Sequence, residues 1–320
     1  REFVGAICAS FGIALIHLHN VSACREGILT ALAASPVPYG YTVHDLNFAC
    51  PTITFLAADG MYCGTPTDVA ACRRCLAAQP AFDRVDIQAW RARHRELLAG
   101  AAFRIAPSRW TSDTLERYFP ECAATVIAHG FPDNLPPRAP GVRTTIVLPD
   151  DDVPTVAVLG AIGPDKGARR IERLADLVRA SGARVRFVLI GYIDVQHGPW
   201  QADDAVLTVH GRYAPADLPD LLAHYRAALV LYPSAGPETF SYTLTEAWAA
   251  GRPVLVPPVG ALAERVQSSD AGWVLTDAEW RSEARMLERI VALVAPAAAA
   301  RLSAAAAKAL AKGLEAARRR

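Results

Sequence analysis

The sequence predicts an α/β fold built from two domains, each a doubly wound parallel sheet with helices on both faces. The chain has 320 residues, about the length of two average domains. Hydrophobic residues make up 52% and charged residues 20%, a composition that allows large buried cores and excludes a disordered chain. Short apolar runs alternate with segments of helical pattern, which is typical of parallel strands joined by helical crossovers.

The first predicted domain covers residues 1–132. A doubly wound domain normally opens with a strand and a glycine-rich turn, whereas this chain opens on an apolar, helix-like segment. We therefore expect the first domain to be incomplete and the sequence to be part of a longer chain. The opening apolar stretch is shorter than the roughly 18 residues that span a bilayer. The apolar runs predict strands at 12–19, 40–44, 104–108 and 125–128, and the helical patterns fall at 90–102 and 111–118.

A linker and a more regular second domain follow. Five prolines between positions 132 and 149 and three aspartates after them predict a linker over residues 133–153. The second domain covers residues 154–296, and the alanine-rich segment 297–320 is helical by propensity. The predicted strands of this domain are 155–159, 185–190, 207–209, 228–232, 253–256 and 272–275, and the helices are 168–180, 217–225, 242–250, 261–266 and 278–294.

The charge balance argues against a polyanionic partner. Lysine and arginine number 33 and aspartate and glutamate 32, so the net charge is +1 and no nucleic-acid partner is expected. The basic run at 90–95 is interpreted as a solvated helix surface, and the arginines at 318–320 as a helix end whose positive charges offset the helix dipole. Contact with an anionic acceptor or peripheral membrane association is the alternative, although the tail lacks the large apolar residues of a membrane anchor.

Seven cysteines without any export signal predict a reducing, cytoplasmic compartment. Four of them, Cys50, Cys63, Cys72 and Cys75, fall within one predicted loop over residues 50–75. Cys72 and Cys75 have the spacing of half a zinc site, and the other two complete four sulfur ligands. The sequence therefore suggests a structural zinc ion that holds this loop, with four reduced thiols or a disulfide pair as the alternatives.

The strongest chemical signal is a pair of glutamates, Glu238 and Glu246, separated by seven residues. They follow the predicted strand 228–232 and enter the next helix, and ligands bind at such strand ends in open parallel sheets. The free N–H groups of the helix start favour a phosphate. Glu238 is suited to accept hydrogen bonds from sugar hydroxyls, and Glu246 from the two hydroxyls of a ribose.

A second signal is the glycine-rich turn at 160–167, which follows the first strand of the second domain. Glycines such as Gly163 let the backbone approach a ligand closely, and Lys166 offers a positive charge to a diphosphate. Arg212, after a later strand, is a further candidate cation. In the first domain, His44 and Asp45 stand at the end of the strand 40–44, where a histidine is either structural or directed at a ligand.

Together these motifs resemble the donor-binding domain of retaining GT-B glycosyltransferases of family 4. The family signature continues from the second glutamate as Glu-Ala-x-Ala-x-Gly-x-Pro-Val, and residues 246–254 match it almost residue for residue. Most members have glycine where this chain has Ser241, and the stretch Phe-Ser-Tyr-Thr-Leu at 240–244 resembles enzymes of polysaccharide and O-antigen assembly. The resemblance extends over residues 13–294 and is stronger after Pro154.

The resemblance implies a GT-B fold with two Rossmann-like domains facing a cleft. It implies a retaining hexosyltransferase that moves a sugar from a nucleotide-diphosphate sugar to a glycan or lipid-linked acceptor, with no catalytic metal. An arginine usual in the family is replaced by Ala161, so Lys166 acts alone or with Arg212. The resemblance assigns catalysis to His44, Lys166 and Glu238, and donor binding to Gly163, Lys166, Arg212, Phe240, Ser241, Tyr242, Leu244 and Glu246.

Two alternatives remain at this point. One is a catalytically degenerate nucleotide-sugar-binding module inside a larger multidomain protein, which Ala161 and the missing opening strands favour. The other is a sugar epimerase of the same architecture, which is not expected to carry the two glutamates seven residues apart.

Overall fold

The computed structural model describes residues 2–22, 24, 26–130, 144–193 and 196–318. The chain forms two compact units. The first comprises the described residues up to His129 together with the short segment Gly236–Phe240, and the second comprises the described residues from Gly130 to Ala235 and from Ser241 onward. Both units contain parallel sheets with helices, so the predicted α/β class is confirmed.

The first unit is built on a sheet of four parallel strands in the order β1-β2-β3-β4. The fully buried side chains of Phe48, Phe55 and Phe119 contribute to the core between this sheet and its helices. The elements of this unit are α1 (Glu2–Phe11), β1 (Ile16–Leu18), α2 (Glu26–Ala33), β2 (Tyr39–Thr42), α3 (Val69–Ala77), α4 (Ile87–Ala99), β3 (Phe103–Ala106), α5 (Arg109–Tyr118) and β4 (Thr125–Val126).

Three helices of the first unit begin at a side-chain cap. Asp68 accepts a hydrogen bond from the N–H of Ala71, and Asp86 and Ser108 cap α4 and α5 in the same way. The cap at Asp68 starts α3 inside the segment that the sequence predicted to be an irregular loop. The prediction was wrong here because the polar and apolar positions of α3 were assigned to metal binding and not to helical periodicity.

The second unit contains a sheet of seven strands in the order β11-β10-β9-β5-β6-β8-β7, all parallel except β7. Its first helix, α6, follows its first strand, β5. The elements are β5 (Thr155–Ile162), α6 (Ala168–Ser181), β6 (Arg186–Ile193), β7 (Trp200–Gln201), β8 (Leu207–Gly211), α7 (Leu218–His224), β9 (Ala227–Leu231), α8 (Tyr242–Ala249), β10 (Val254–Val256), α9 (Gly260–Gln267), β11 (Gly272–Val274), α10 (Asp277–Trp280), α11 (Glu283–Val294) and α12 (Ala299–Arg318).

The strand order of the second unit reverses between β5 and β9. The chain runs outward from β5 through β6 to β8, returns to β9 on the other side of β5, and continues through β10 to β11. The central strands β5, β6 and β9 are almost completely buried, as expected for a sheet covered on both faces. The reversal places a topological switch point, where open α/β sheets bind ligands, between the carboxyl ends of β5 and β9.

The predicted linker and the alanine-rich tail both contribute packing to the second unit. Residues 133–143 of the linker lie outside the described part, whereas Ile146 and Leu148 are buried in the core of the second unit. Helix α12 packs against α8, and a Cβ on Gly313 would lie 2.4 Å from the Cα of Ala249, so glycine permits this close approach.

Among the described helices, none is by itself both long and apolar enough to cross a membrane. The pair Glu283–Val294 and Pro296–Glu315, bent by 66°, meets the length and composition criteria only when its members are taken together.

Candidate functional site

The second unit has its candidate site at the switch point between β5 and β9. Gly167, with φ of +91°, closes the turn that follows β5, and a Cβ there would lie 2.3 Å from the carbonyl oxygen of Pro233. The N–H of Ala235 donates a hydrogen bond to the carbonyl of Asp165 at 3.1 Å. The turn that carries Lys166 is therefore held tightly against the end of β9 by contacts that only glycine permits.

Two cations lie near the carboxyl ends of strands in this unit. The side chain of Lys166 is exposed, and no carboxylate of the described residues pairs with it. Arg212 follows β8, and its guanidinium carbon lies 4.5 Å from the centre of the Tyr192 ring. Arg212 and Tyr213 also line a pocket of about 220 Å³. Both cations are thus available to an anionic ligand.

Glu246 lies in the second turn of α8 and is half-buried. The hydroxyl of Tyr213 donates a hydrogen bond to its Oε2 atom at 3.4 Å. Burial raises the pKa of Glu246, and the hydrogen bond from Tyr213 opposes this rise. No lysine, arginine or histidine of the described residues forms an ion pair with this carboxylate. The remaining oxygen sites are therefore able to accept hydrogen bonds from a pair of hydroxyl groups.

Ser241 precedes α8 with φ of +70°, a backbone conformation that favours glycine. Its side chain does not cap the helix and instead contacts the hydroxyl of Thr243 at 3.2 Å. Arg265 holds this conformation, because its guanidinium donates to the carbonyl of Ser241 at 2.8 Å and to the hydroxyl of Thr245 at 2.7 Å. The first N–H groups of α8 thus lack a side-chain cap from Ser241 and can bind an anion.

The conformation of Ser241 predicts a stabilising substitution. Ser241→Gly should raise the free energy of unfolding by about 1 kcal/mol, because roughly 1–3 kcal/mol of backbone strain is relieved while the unfolded chain gains entropy worth about 0.4–1 kcal/mol. Urea unfolding measures the change. Ser268→Gly is the matched control, since Ser268 has an ordinary φ of −81° and its replacement should destabilise the protein. A lower midpoint for Ser241→Gly would contradict the strain argument.

In the first unit, four histidines form a continuous row, of which one lies within β1 and the other three follow the carboxyl ends of β1, β2 and β4. Nε2 of His17 lies 2.8 Å from the hydroxyl of Thr42, and the rings of His17 and His19 are 4.1 Å apart. A hydrogen bond of 2.8 Å joins Nδ1 of His19 and Nε2 of His44, and the ring of His44 stacks on His129 at 5.0 Å. The sequence drew attention to His44, and the structure places it within this row.

The electrostatics of the row favour neutral rings at His17 and His44. Burial and the neighbouring His19 lower the pKa of His44, while Asp45 opposes this shift. Burial and His19 also lower the pKa of His17. Neutral imidazoles offer both a donor and an acceptor nitrogen, which suits contact with hydroxyl groups.

The segment Gly236–Phe240, which contains Glu238, belongs to the first unit by its contacts. The hydroxyl of Thr239 donates to the carbonyl of His44 at 2.6 Å. The ring of Phe240 lies edge-on to the ring of His129, with ring centres 4.9 Å apart. The structure therefore groups Glu238 and Phe240 with the histidine row, whereas Ser241 and Glu246 belong to the second unit.

The other predicted donor residues occupy varied positions. Gly163 is partly buried in the turn after β5, and the side chain of Tyr242 is 48% exposed at the start of α8. Leu244 is fully buried in the core of the second unit, so its side chain packs against the sheet. Sequence reasoning did not assign Tyr213 or Arg265 to the site, because their partners Glu246 and Ser241 lie 33 and 24 residues away.

The structure corrects the prediction of a zinc site at Cys50, Cys63, Cys72 and Cys75. Across the described ranges, no group of three or more histidine, cysteine, aspartate or glutamate side chains is arranged to hold a metal ion. All four cysteines are free thiols, so the alternative of a disulfide pair does not apply either.

The neighbours of the thiols explain the correction. Arg91 donates a hydrogen bond to Sγ of Cys72 at 3.1 Å, and Gln79 donates to Sγ of Cys75 at 3.4 Å. Burial raises the pKa of Cys63 to about 11 and also raises the pKa of Cys50. The raised pKa values of Cys50 and Cys63 favour neutral thiols at these two positions, whereas zinc binds thiolates.

Comparison with known proteins gives a family match to part of the chain. Residues 153–296, a little under half of the sequence, match the family model described as glycosyl transferases group 1. The matched range contains the turn with Lys166, the start of α8 and Glu246. No curated protein matches the chain.

Solved structures resemble nearly the whole chain. Sucrose-phosphate synthase from Thermosynechococcus elongatus is 19% identical, with a TM-score of 0.63 over 99% of this chain and 72% of that one. HepE from Anabaena in complex with UDP is 17% identical, with a TM-score of 0.62 over 99% and 79%. The catalytic domain of starch synthase IV from Arabidopsis thaliana, bound to ADP and acarbose, is 14% identical, with a TM-score of 0.53 over 99% and 74%. The chain thus has the α/β fold of GT-B glycosyltransferase structures.

Proposed function

We propose that this protein is a glycosyltransferase that moves a sugar from a nucleotide-diphosphate sugar to a glycan or lipid-linked acceptor, with retention of configuration. The observation that carries the proposal is the arrangement at the switch point of the second unit. Three groups occur together there: Lys166, which has no acidic partner among the described residues, the start of α8, which Ser241 does not cap, and the half-buried carboxylate of Glu246. All three lie within the range that matches the glycosyltransferase family model.

Each of these groups has a chemical role in the proposal. Lys166 and the free N–H groups of α8 bind the diphosphate and stabilise the negative charge that grows on it as the sugar leaves. Glu246, oriented by Tyr213, accepts hydrogen bonds from the ribose. Glu238 is proposed to bind the sugar, and His44 keeps the catalytic role that the sequence resemblance assigns to it. Arg212, which lines a pocket together with Tyr213, is proposed to assist Lys166.

The donor is proposed to be a UDP-sugar. Support comes from HepE, whose structures contain UDP, UDP with glucose, and UDP-glucose. ADP in the structure of starch synthase IV makes an ADP-sugar the second candidate. Glucose in the HepE structures supports a hexose as the transferred sugar, and the acceptor class is proposed from the sequence resemblance.

The alternative proposal is a nucleotide-sugar-binding module without catalytic activity. One observation favours it: Ala161 stands where the resembling family has an arginine, and Lys166 has no second lysine or arginine in its turn. The two proposals differ in transfer activity and agree on nucleotide binding, so a binding assay tests what they share.

Substitution of Glu246 should separate ligand binding from folding. UDP at about 100 times its dissociation constant should raise Tm by roughly 5–10 °C. Glu246→Gln should abolish this shift, because the amide has one acceptor oxygen in place of two and lacks the negative charge that strengthens the ribose hydrogen bonds. A thermal-shift screen with UDP, GDP, ADP and dTDP measures it. Glu288→Gln, on the exposed surface of α11, is the control and should keep the full shift. An unchanged shift in Glu246→Gln, or none with any nucleotide, would contradict the proposal.

The same variant without ligand provides a check on its folding. Burial raises the pKa of Glu246 in the folded protein above its ordinary value of 4.5. The folded state therefore holds a proton that the unfolded state releases, and stability falls as pH rises through the window between the two pKa values. Glu246→Gln has no such proton. Its stability relative to the wild type should increase as pH rises from 4.5 and then level off, as measured by urea unfolding at several pH values.

A further inference from the structure

The first unit contains a pocket of about 300 Å³ that the proposed function does not use. We call it the arginine pocket, because Arg91 and Arg95 of α4 and Arg117 of α5 all line it. Aromatic side chains of Tyr118 and Phe119 form part of its wall. Its volume lies at the lower end of the range typical of small-molecule sites. All its lining residues belong to the first unit, so the pocket is separate from the switch point in the second unit.

The basic run at 90–95 thus has a definite arrangement. Arg91 and Arg95 are four residues apart and lie on the same face of α4, toward the pocket. Arg93, between them, does not line the pocket, and its guanidinium lies over the ring of Trp90 at 5.9 Å. The sequence interpretation of this run as a plain solvated surface is therefore wrong for Arg91, which is buried.

Arg91 is the key residue of the pocket, because its positive charge is 91% buried and has no acidic partner among the described residues. Its Nε donates to the carbonyl of Ala49 at 2.9 Å, its Nη1 to the carbonyl of Thr67 at 2.9 Å, and its Nη2 to Sγ of Cys72 at 3.1 Å and the carbonyl of Pro66 at 3.5 Å. The guanidinium carbon lies 4.7 Å from the centre of the Tyr118 ring. These neutral groups fix the orientation of the guanidinium but leave its charge uncompensated, and a buried uncompensated charge attracts an anion.

The other two arginines increase this field. Arg95 lies over the Phe119 ring at 5.4 Å and is paired with Glu121 at 3.0 Å, so one of the three charges is balanced. Arg117 donates to the neutral hydroxyl of Thr65 at 2.7 Å. No aspartate or glutamate lines the pocket. Two positive charges without an acidic partner among the described residues thus face a small cavity, the buried Arg91 and the exposed Arg117.

We propose that the arginine pocket binds a phosphoryl group of a small anionic ligand. Guanidinium groups bind phosphate oxygens through two parallel hydrogen bonds, which a lysine ammonium cannot do. Arg117 is the residue suited to this, because only its Nη1 is engaged, with Thr65, whereas Arg91 contributes mainly its charge. Rings beneath two of the guanidinium groups hold them in place, so little side-chain entropy is lost on binding. The ligand carries a phosphate or diphosphate and is either free in solution or the headgroup of an anionic lipid.

Isothermal titration of the full chain with sodium pyrophosphate tests the proposal. Because Lys166 is proposed to bind a diphosphate elsewhere, each titration is repeated in a Lys166→Ala background. Binding at one site that survives Lys166→Ala is expected. Arg117→Gln and Arg95→Gln should each weaken it at least tenfold, and both side chains are exposed, so the fold should be retained. The proposal therefore fails or succeeds independently of the proposed function.

Arg93→Gln is the matched control, because it removes the same charge from the same helix outside the pocket. It should change the affinity less than threefold. Sedimentation with vesicles of phosphatidylcholine that contain phosphatidic acid distinguishes the two ligand sources. If the protein binds these vesicles in an Arg117-dependent way but does not bind pyrophosphate, the ligand is a lipid headgroup. Any of three results would overturn the proposal. Arg93→Gln could weaken the binding as much as Arg117→Gln does, Arg117→Gln could leave the affinity unchanged, or neither pyrophosphate nor vesicles could bind.

Discussion

Replacing Glu238 with glutamine should reduce kcat for sugar transfer by about 100- to 1000-fold, the usual effect of removing one preorganised electrostatic group. A carboxylate accepts stronger hydrogen bonds from sugar hydroxyls than an amide does, and glutamine keeps the shape of the side chain. The backbone of the segment is held by the hydrogen bond from Thr239 to His44, which this substitution does not touch. Initial rates of transfer from the donor identified by thermal shift measure the effect.

Two further variants make this result specific. Glu96→Gln, on the exposed surface of α4, should transfer sugar at the wild-type rate. The nucleotide-dependent thermal shift of Glu238→Gln should also stay unchanged, because the nucleotide is assigned to residues of the second unit. Full transfer activity in Glu238→Gln would remove Glu238 from the mechanism, whereas loss of the nucleotide shift would point to a damaged fold.

The largest stability effect is expected at Arg170, which ties the end of β9 to α10 and α11. Its buried guanidinium donates to the carbonyls of Pro233 and Trp280 and forms an ion pair with Glu283 at 3.3 Å. Removing one partner of a buried ion pair typically costs about 3–5 kcal/mol. Arg170→Ala should therefore lower the free energy of unfolding by roughly that amount, measured by urea denaturation.

Arg173→Ala is the matched control for Arg170. Arg173 contacts the same carboxylate of Glu283 at 3.5 Å, but its side chain is 63% exposed. Exposed ion pairs contribute about 0–1 kcal/mol, so this variant should unfold close to the wild type. If the two variants unfolded alike, the buried hydrogen bonds of Arg170 would have no special importance.

The sequence predicted the second unit well because its buried strands leave a direct signal. Near-continuous apolar runs such as 155–159 mark strands that are covered on both faces. The turn around Lys166 and the start of α8 follow such strands, so the local sequence already indicated that both lie at the carboxyl edge of the sheet. The reversal of strand order between β5 and β9 required the structure, because strand pairing is a long-range property.

The first unit was less predictable for a physical reason. Helix α3 contains Cys72 and Cys75 at a spacing that fits both a zinc site and one turn of a helix, and local sequence cannot distinguish these. The structure distinguishes them through Arg91, which lies 19 residues away and donates to the Cys72 thiol. The burial of an arginine in a basic run is likewise invisible to composition, because hydropathy assigns every arginine to the surface.

The grouping of Glu238 with one compact unit and Glu246 with the other has a practical consequence for protein engineering. Consider a chimera in which two homologues are joined at the proline-rich linker. One parent would supply the segment Gly236–Phe240, which contains Glu238, and the other parent would supply the residues around His44 that this segment contacts. Such a chimera would keep both glutamates at their spacing of seven residues, but the contact between residues 236–240 and His44 would join residues from different parents. A graft that exchanges residues 236–240 together with the amino-terminal portion would keep both native pairings, so recombination boundaries in this chain are best drawn on either side of that segment.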